Sequence, residues 1–234
     1  MRRQRLALVL TSCIILAILS VWNAYRQQQD QAAPPPPSST VTSQLASAIL
    51  ARLPIKGRAP MTGYSRGQFG SGWSTVNACD MREYILARDL TQVTFRPDDN
   101  CTVLNGLLAD PYTGKTVHFT RGPSTSQAVQ IDHVVALGDA WQKGAQQLAP
   151  QTREQLYNDP LELLAVDGAA NQQKGDGDAA TWLPANKAYR CRYIARQIAV
   201  KAKYHLWVTQ AEHDAMARIL STCPTQVLPV VQQR

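Results

Sequence analysis

The chain has no C-x-x-C pair among its five cysteines, no visible internal repeat, and no alternating run of acidic ligands closed by a glutamate. The first absence argues against a structural zinc site, the second against a repeat array. The third argues against reading DGAANQQKGDGD as a calcium loop. Charge is also missing in two places: residues 6–22, LALVLTSCIILAILSVW, carry none, and NKAYRCRYIARQIAVKAKYHLW carries no acid. With 44% hydrophobic and 18% charged residues in 234, the chain can bury a sizeable core and is not a disordered tail.

The uncharged run follows the basic cluster MRRQR and is close to the length of a bilayer core, so a membrane-inserted segment is expected over residues 1–26. Arg2, Arg3 and Arg5 would stay inside and the rest would lie outside the cytoplasm. VWNAYR has no small-x-small cleavage site, which favours an uncleaved anchor; cleavage as a signal peptide, followed by secretion, is the alternative. Lipidation at Cys13 is disfavoured because only LALVL precedes Leu10-Thr11-Ser12-Cys13 and the apolar run continues beyond it.

Residues 27–63 read as a linker. QQQDQAAPPPPSST makes an extended spacer. Leu45, Ile49 and Leu53 then mark a short amphipathic helix stopped by Pro54. The glycine- and serine-rich stretch GRAPMTGYSRGQFGSGW reads as a loop. A globular domain is expected over 64–224, with a tail at 225–234. Its four cysteines, Cys79, Cys101, Cys191 and Cys223, are an even number in an exported domain and read as two disulfides. Three pairings are open; Cys79–Cys101 and Cys191–Cys223 are favoured because each pair brackets a compact local segment.

Within the domain a helix is expected across CDMREYILARDL. VTFR, CTVLNGLLA, KTVHFTR and VQIDHVVAL then read as strands of a small antiparallel sheet, separated by PDDN, DPYTG and RGPSTS. From Gly138 the pattern turns helical, with a short apolar run LELLAV. It ends in a long helix near 186–206, with Cys191, Ile194, Ile198, Ala202 and His205 on one face, and a last helix opened by a Thr209/Glu212 capping box. The fold class is α+β. The oddity is VQIDHVVAL, where Asp132 and His133 interrupt an apolar strand. Burying them costs several kcal/mol unless they find partners. In a regular strand they point to opposite faces, so both serve one site only where the strand ends or bends.

IDHVVAL, NDPLELLAV and NQQK together resemble the HNH endonucleases, whose core is two strands and a helix around one metal ion. The motif match covers residues 129–178. CDMREYILARDL, DPYTGK and GDGDAATWLP are similar to an exported bacterial branch of that family. The resemblance implies that His133 is the general base and that Asp132 and Asn171 hold the metal. A carboxylate and an amide oxygen suit Mg²⁺ rather than zinc. Glu162 stands where the signature's middle asparagine orients the base; it would accept a hydrogen bond from the imidazole, or Asn158 would do so instead. Lys174, nearly on the Asn171 face of a helix, would contact a phosphate.

Each assignment has a plainer rival: a structural Asp132–His133 pair, a helix-capping Asn171, a solvated Lys174. His118, His205 and His213 are assigned to structure. Removing Arg2, Arg3, Arg5, Arg26 and Asp30 from 24 basic and 17 acidic residues leaves 20 against 16, a modest surplus. The acid-free helix, with Arg192 and Arg196 among its cations, would neutralise the phosphates of nucleic acid, DNA in the first instance. The same helix would equally suit anionic lipid or a solvated face. The expectation is therefore a metal-dependent endonuclease acting outside the cytoplasm. The alternative is a degenerate scaffold of that fold that binds nucleic acid or an envelope component without cutting.

Overall fold

The computed structural model describes residues 18–26 and 44–229. Residues 18–26 are helical. Most of the expected membrane span, Cys13 and the spacer at 27–43 lie outside the described residues, and among those described no helix is long and apolar enough to cross a membrane. Residues 44–229 belong to one compact unit.

That unit is α+β, with three small antiparallel sheets among the described residues. A two-residue pair, β1 (Thr75–Val76) and β2 (Cys79–Asp80), leads into helix α2 (Met81–Asp89); α1 (Ala46–Leu50) precedes them. Asp80 caps α2 by accepting from the Glu83 amide at 2.9 Å. The second sheet has the order β3 (Thr91–Phe95), β4 (Val103–Ala109), β5 (Thr116–Thr120). VQIDH does not join it as expected. As β6 (Val129–His133) it pairs with β7 (Leu163–Asp167), in a register that sets His133 opposite Leu163 and Val129 opposite Asp167.

The reason is burial on both sides. Leu163 and Ala165 pack with Val129, Ile131 and the α2 residues Ile85 and Leu86, while Leu164 and Val166 pack with Tyr193, Ile194 and Ile198. The period of two sends alternate side chains to opposite cores. The ribbon is thus wrapped by α2 and the three-stranded sheet on one face and by the C-terminal helices on the other. A strand covered on both faces reads as a near-continuous apolar run, as LELLAV does.

Three further helices frame the ribbon: α3 (Leu137–Gln142), α4 (Pro150–Tyr157) and α5 (Gly168–Lys174). Asp167 caps α5 through the Ala170 amide at 2.8 Å. Gly168 is required there, since a Cβ would meet the Gln127 carbonyl oxygen at 2.0 Å. Helix α6 (Arg190–Lys203) and α7 (Gln210–Leu220) close the fold. His205, expected on the apolar face of a longer helix, lies beyond the end of α6 with φ of 54° and is exposed. Of the expected capping box only the Thr209 half forms. Glu212 is fully buried and turns inward, where Lys143 and Lys201 reach it at 2.6 and 3.0 Å.

Both favoured disulfides are present, Cys79–Cys101 with a Cα–Cα distance of 5.3 Å and Cys191–Cys223 with 6.5 Å. The compact unit begins earlier than the expected boundary near Tyr64. Ala46 and Leu50 of α1 are buried against α6 and α7. The first residues of the tail are also part of it: the Leu228 amide donates to Gln44 and the Ala46 amide to Gln226. Apolar residues at helical spacing bury themselves wherever a complementary surface exists, and the α6/α7 pair supplies one.

Candidate active site

His133 is the last residue of β6, so the strand ends where the two polar side chains stand. Its ring is buried and nearly parallel to Trp73, 5.9 Å between centroids at 6°, with Tyr157 tilted at 4.6 Å. Nε2 lies 3.0 Å from the Tyr157 carbonyl oxygen. A carbonyl only accepts, so Nε2 carries the proton and Nδ1 keeps its lone pair. Among the described residues nothing donates to Nδ1. Burial, and after it the charge of Arg66, pushes the His133 pKa down to about 3. The imidazole is therefore neutral; so low a pKa also makes it a weak base until negative charge enters the cleft and raises it.

Asp132 points to the opposite side of the ribbon and is also buried. Its Oδ2 accepts from the Tyr112 hydroxyl at 2.5 Å and its Oδ1 from Lys174 Nζ at 2.8 Å. Lys174, expected to meet a phosphate, is instead fully inside, and its Nζ also donates to the His133 carbonyl at 2.8 Å. A Lys stem of four carbons crosses the space between α5 and the ribbon, and the carboxylate it meets there compensates its charge.

Asn171, on α5, lines the same cleft as Asp132 and His133. Its amide nitrogen donates to Gln130 Oε1 at 2.9 Å, which leaves the amide oxygen without a donor among the described residues. No three His, Cys, Asp or Glu side chains cluster closely enough to cage an ion among the described residues. Mg²⁺, however, retains several waters and takes one or two protein oxygens. Of the two expected ligands, Asn171 keeps a free amide oxygen among the described residues, while both Asp132 oxygens already accept, one from Tyr112 and one from Lys174.

Glu162 does not reach the imidazole. It is completely buried, and its two carboxylate oxygens lie 3.2 and 3.1 Å from the Val135 amide. Burial pushes its pKa well up, against the Val135 hydrogen bond, which lowers it. Its role is to hold the turn that follows β6, while the Tyr157 carbonyl fixes the ring. Asn158 does not orient the base either: its Oδ1 accepts from the Ser74 amide at 2.8 Å, beside Trp73. Arg196 is tied to the carbonyls of Leu161, Pro160 and Leu163 at 2.6, 2.9 and 2.8 Å. Arg192 is exposed, 5.3 Å over the Tyr189 ring, and is not among the residues lining the cleft.

The cations that do line the cleft are Arg66 and Arg82, with Gln130, Trp73 and Asp176. Sequence reasoning passed over all of them. Arg66 and Trp73 lie in the stretch read as a loop, and Arg82 in an expected helix to which no site role was given. Gly138 admits Asp176: a Cβ there would stand 2.6 Å from its carboxyl group.

Residues 80–219 match the family described as the C-terminal domain of GmrSD restriction endonucleases. An "Uncharacterized secreted protein" of Arthroderma benhamiae is 36% identical over 185 residues, covering 78% of this chain and 86% of that protein. That relative is fungal, so the bacterial origin attached to the resemblance has no support. No solved structure matches significantly.

Proposed function

The chain belongs to the family of the C-terminal domain of GmrSD restriction endonucleases, and from this we propose that it is an HNH-type endonuclease that hydrolyses DNA phosphodiester bonds with a divalent metal. The observation that carries the reading is the neutral His133 at the end of β6, its Nε2 proton held by Tyr157 and its Nδ1 free, in one cleft with Asn171. Nδ1 takes the proton from water as its oxygen attacks phosphorus. Trp73 and Tyr157 hold the ring in place. Asp132 and Asn171 would hold the ion, most naturally Mg²⁺. When bound, the ion supplies positive charge to the phosphate and the leaving oxygen. Tyr112 and Lys174 fix the Asp132 carboxylate in one orientation.

The two disulfides and the fungal relative's description as secreted support action outside the cytoplasm. The relative's description as secreted favours the secreted form over the anchored one. The second reading, a scaffold that binds without cutting, draws on the Lys174 ammonium already paired with Asp132.

The test is plasmid cleavage with Mg²⁺ and with the metal chelated. Wild type should nick or cut only with metal, and His133→Ala should slow cleavage by roughly 10²–10⁴-fold, with a clear loss in Asn171→Ala. Intact plasmid under several metals, or normal cutting by both variants, would sink the assignment.

A further inference from the structure

The cleft around His133 has a volume of about 520 Å³. Arg82 lines it from the first turn of α2 and is only partly exposed, yet it makes no hydrogen bond or ion pair with any described residue. Its two nearest acids are committed elsewhere. Asp80 caps α2 through the Glu83 amide. Glu83 takes Arg121 on Oε1 at 2.5 Å and the Val103 amide on Oε2 at 2.8 Å. Burial draws the Arg82 pKa down, but a guanidinium does not deprotonate in a protein and instead keeps an unanswered need for an acceptor.

Arg66 is the second cation. It is exposed, lies 5.4 Å over the Tyr157 ring, and makes only a 3.5 Å hydrogen bond to that hydroxyl. Against these two stands Asp176; Asp132 is already offset by Lys174. The cleft therefore has a surplus of positive charge beside the base. Five N–H donors in a planar fork match the oxygens of a phosphate.

We propose that Arg82 grips the substrate phosphodiester, its guanidinium fork on the non-bridging oxygens, with Arg66 as the second cation on the same group. This rests on the nuclease reading of the cleft and deepens it. The contact is to the backbone, so recognition is independent of base sequence. The acid-free helix α6 is not the gripping surface.

The test measures binding of a short fluorescein-labelled oligodeoxynucleotide by the full chain carrying His133→Ala, over a range of salt. Arg82→Gln should weaken binding roughly tenfold or more and lower the salt slope by about one. Arg82→Lys should restore the slope but not the full affinity, and Arg218→Gln, on the exposed side of α7, should change neither. Unchanged affinity and slope in Arg82→Gln overturn the proposal. Should Arg82→Gln lose thermal stability, Arg82→Lys decides: weaker binding at an unchanged melting midpoint supports the grip, and wild-type binding overturns it. Arg82-dependent binding in a protein that never cuts would remove the endonuclease reading and leave this one standing. Cutting with no dependence of binding on Arg82 would remove this one alone.

Discussion

Glu162 and Lys174 illustrate how a residue's role follows from what surrounds it. Both were assigned from position in a motif, one to orient the imidazole and one to meet a phosphate. Each is instead buried and holds backbone next to His133: Glu162 at the Val135 amide, Lys174 at the His133 carbonyl. Since burial favours the protonated carboxyl of Glu162, an amide is a close substitute. Glu162→Gln should change stability by less than about 1 kcal/mol and leave cleavage within a few-fold. Glu162→Ala strands a buried amide and should cost about 1–3 kcal/mol in urea unfolding. A folded Glu162→Gln protein without cleavage would instead place this side chain in the chemistry.

At the scale of elements, the helices around the ribbon β6–β7 are tied together by a buried ionic cluster whose residues do not line the cleft. Lys143 reaches Asp139, Asp178 and Glu212 at 2.5, 2.8 and 2.6 Å, and Lys201 reaches Asp139 and Glu212 at 3.1 and 3.0 Å. Arg58 adds a 2.7 Å contact to Asp178. Three cations and three carboxylates tie α3, α6, α7, the segment after α5 and the N-terminal segment into one neutral cluster. Breaking such a cluster leaves a buried charge uncompensated, which costs about 3–5 kcal/mol. For Asp178, burial acts to raise the pKa, but Lys143 and Arg58 outweigh it and hold the carboxyl below its ordinary 3.8. The stabilisation is thus complete above that value and fades as pH falls through the lower folded value. Asp178→Asn should therefore be destabilised at neutral pH, and the gap to wild type should narrow below about pH 4. Denaturant unfolding as a function of pH measures this; a gap that stays constant into acid would exclude the ionic explanation.

For the whole molecule, the question is where the folding unit begins. Ala46 and Leu50 are buried in the α6/α7 core, Arg58 joins the ionic cluster, and the Ala59 amide donates to the Gln142 carbonyl at 2.8 Å. A chain lacking residues 1–42 should unfold at the same denaturant midpoint as the full protein. One lacking residues 1–63 should lose several kcal/mol, given about 1.5–3 kcal/mol for each large apolar side chain buried. Equal midpoints for the two truncations would return the boundary to Tyr64.

Much of this was legible from local pattern. The helix over CDMREYILARDL, the strands of CTVLNGLLA and KTVHFTR and the two disulfide pairings follow from periodicity, turn residues and cysteine parity. What was not legible depends on contacts between residues distant in sequence. VQIDH left one sheet for a partner strand about 30 residues on because that pairing buries both of its faces. Lys174 and Glu162 went to the interior, and Arg196 became half-buried, because acceptors or donors awaited them there. Arg66 and Arg82 became the cations of the cleft because no described partner claims Arg82 and only a long hydrogen bond holds Arg66. By itself the sequence determined which residues have the chemistry; which of them face the cleft was decided by tertiary structure, because long polar side chains go wherever a partner compensates their burial.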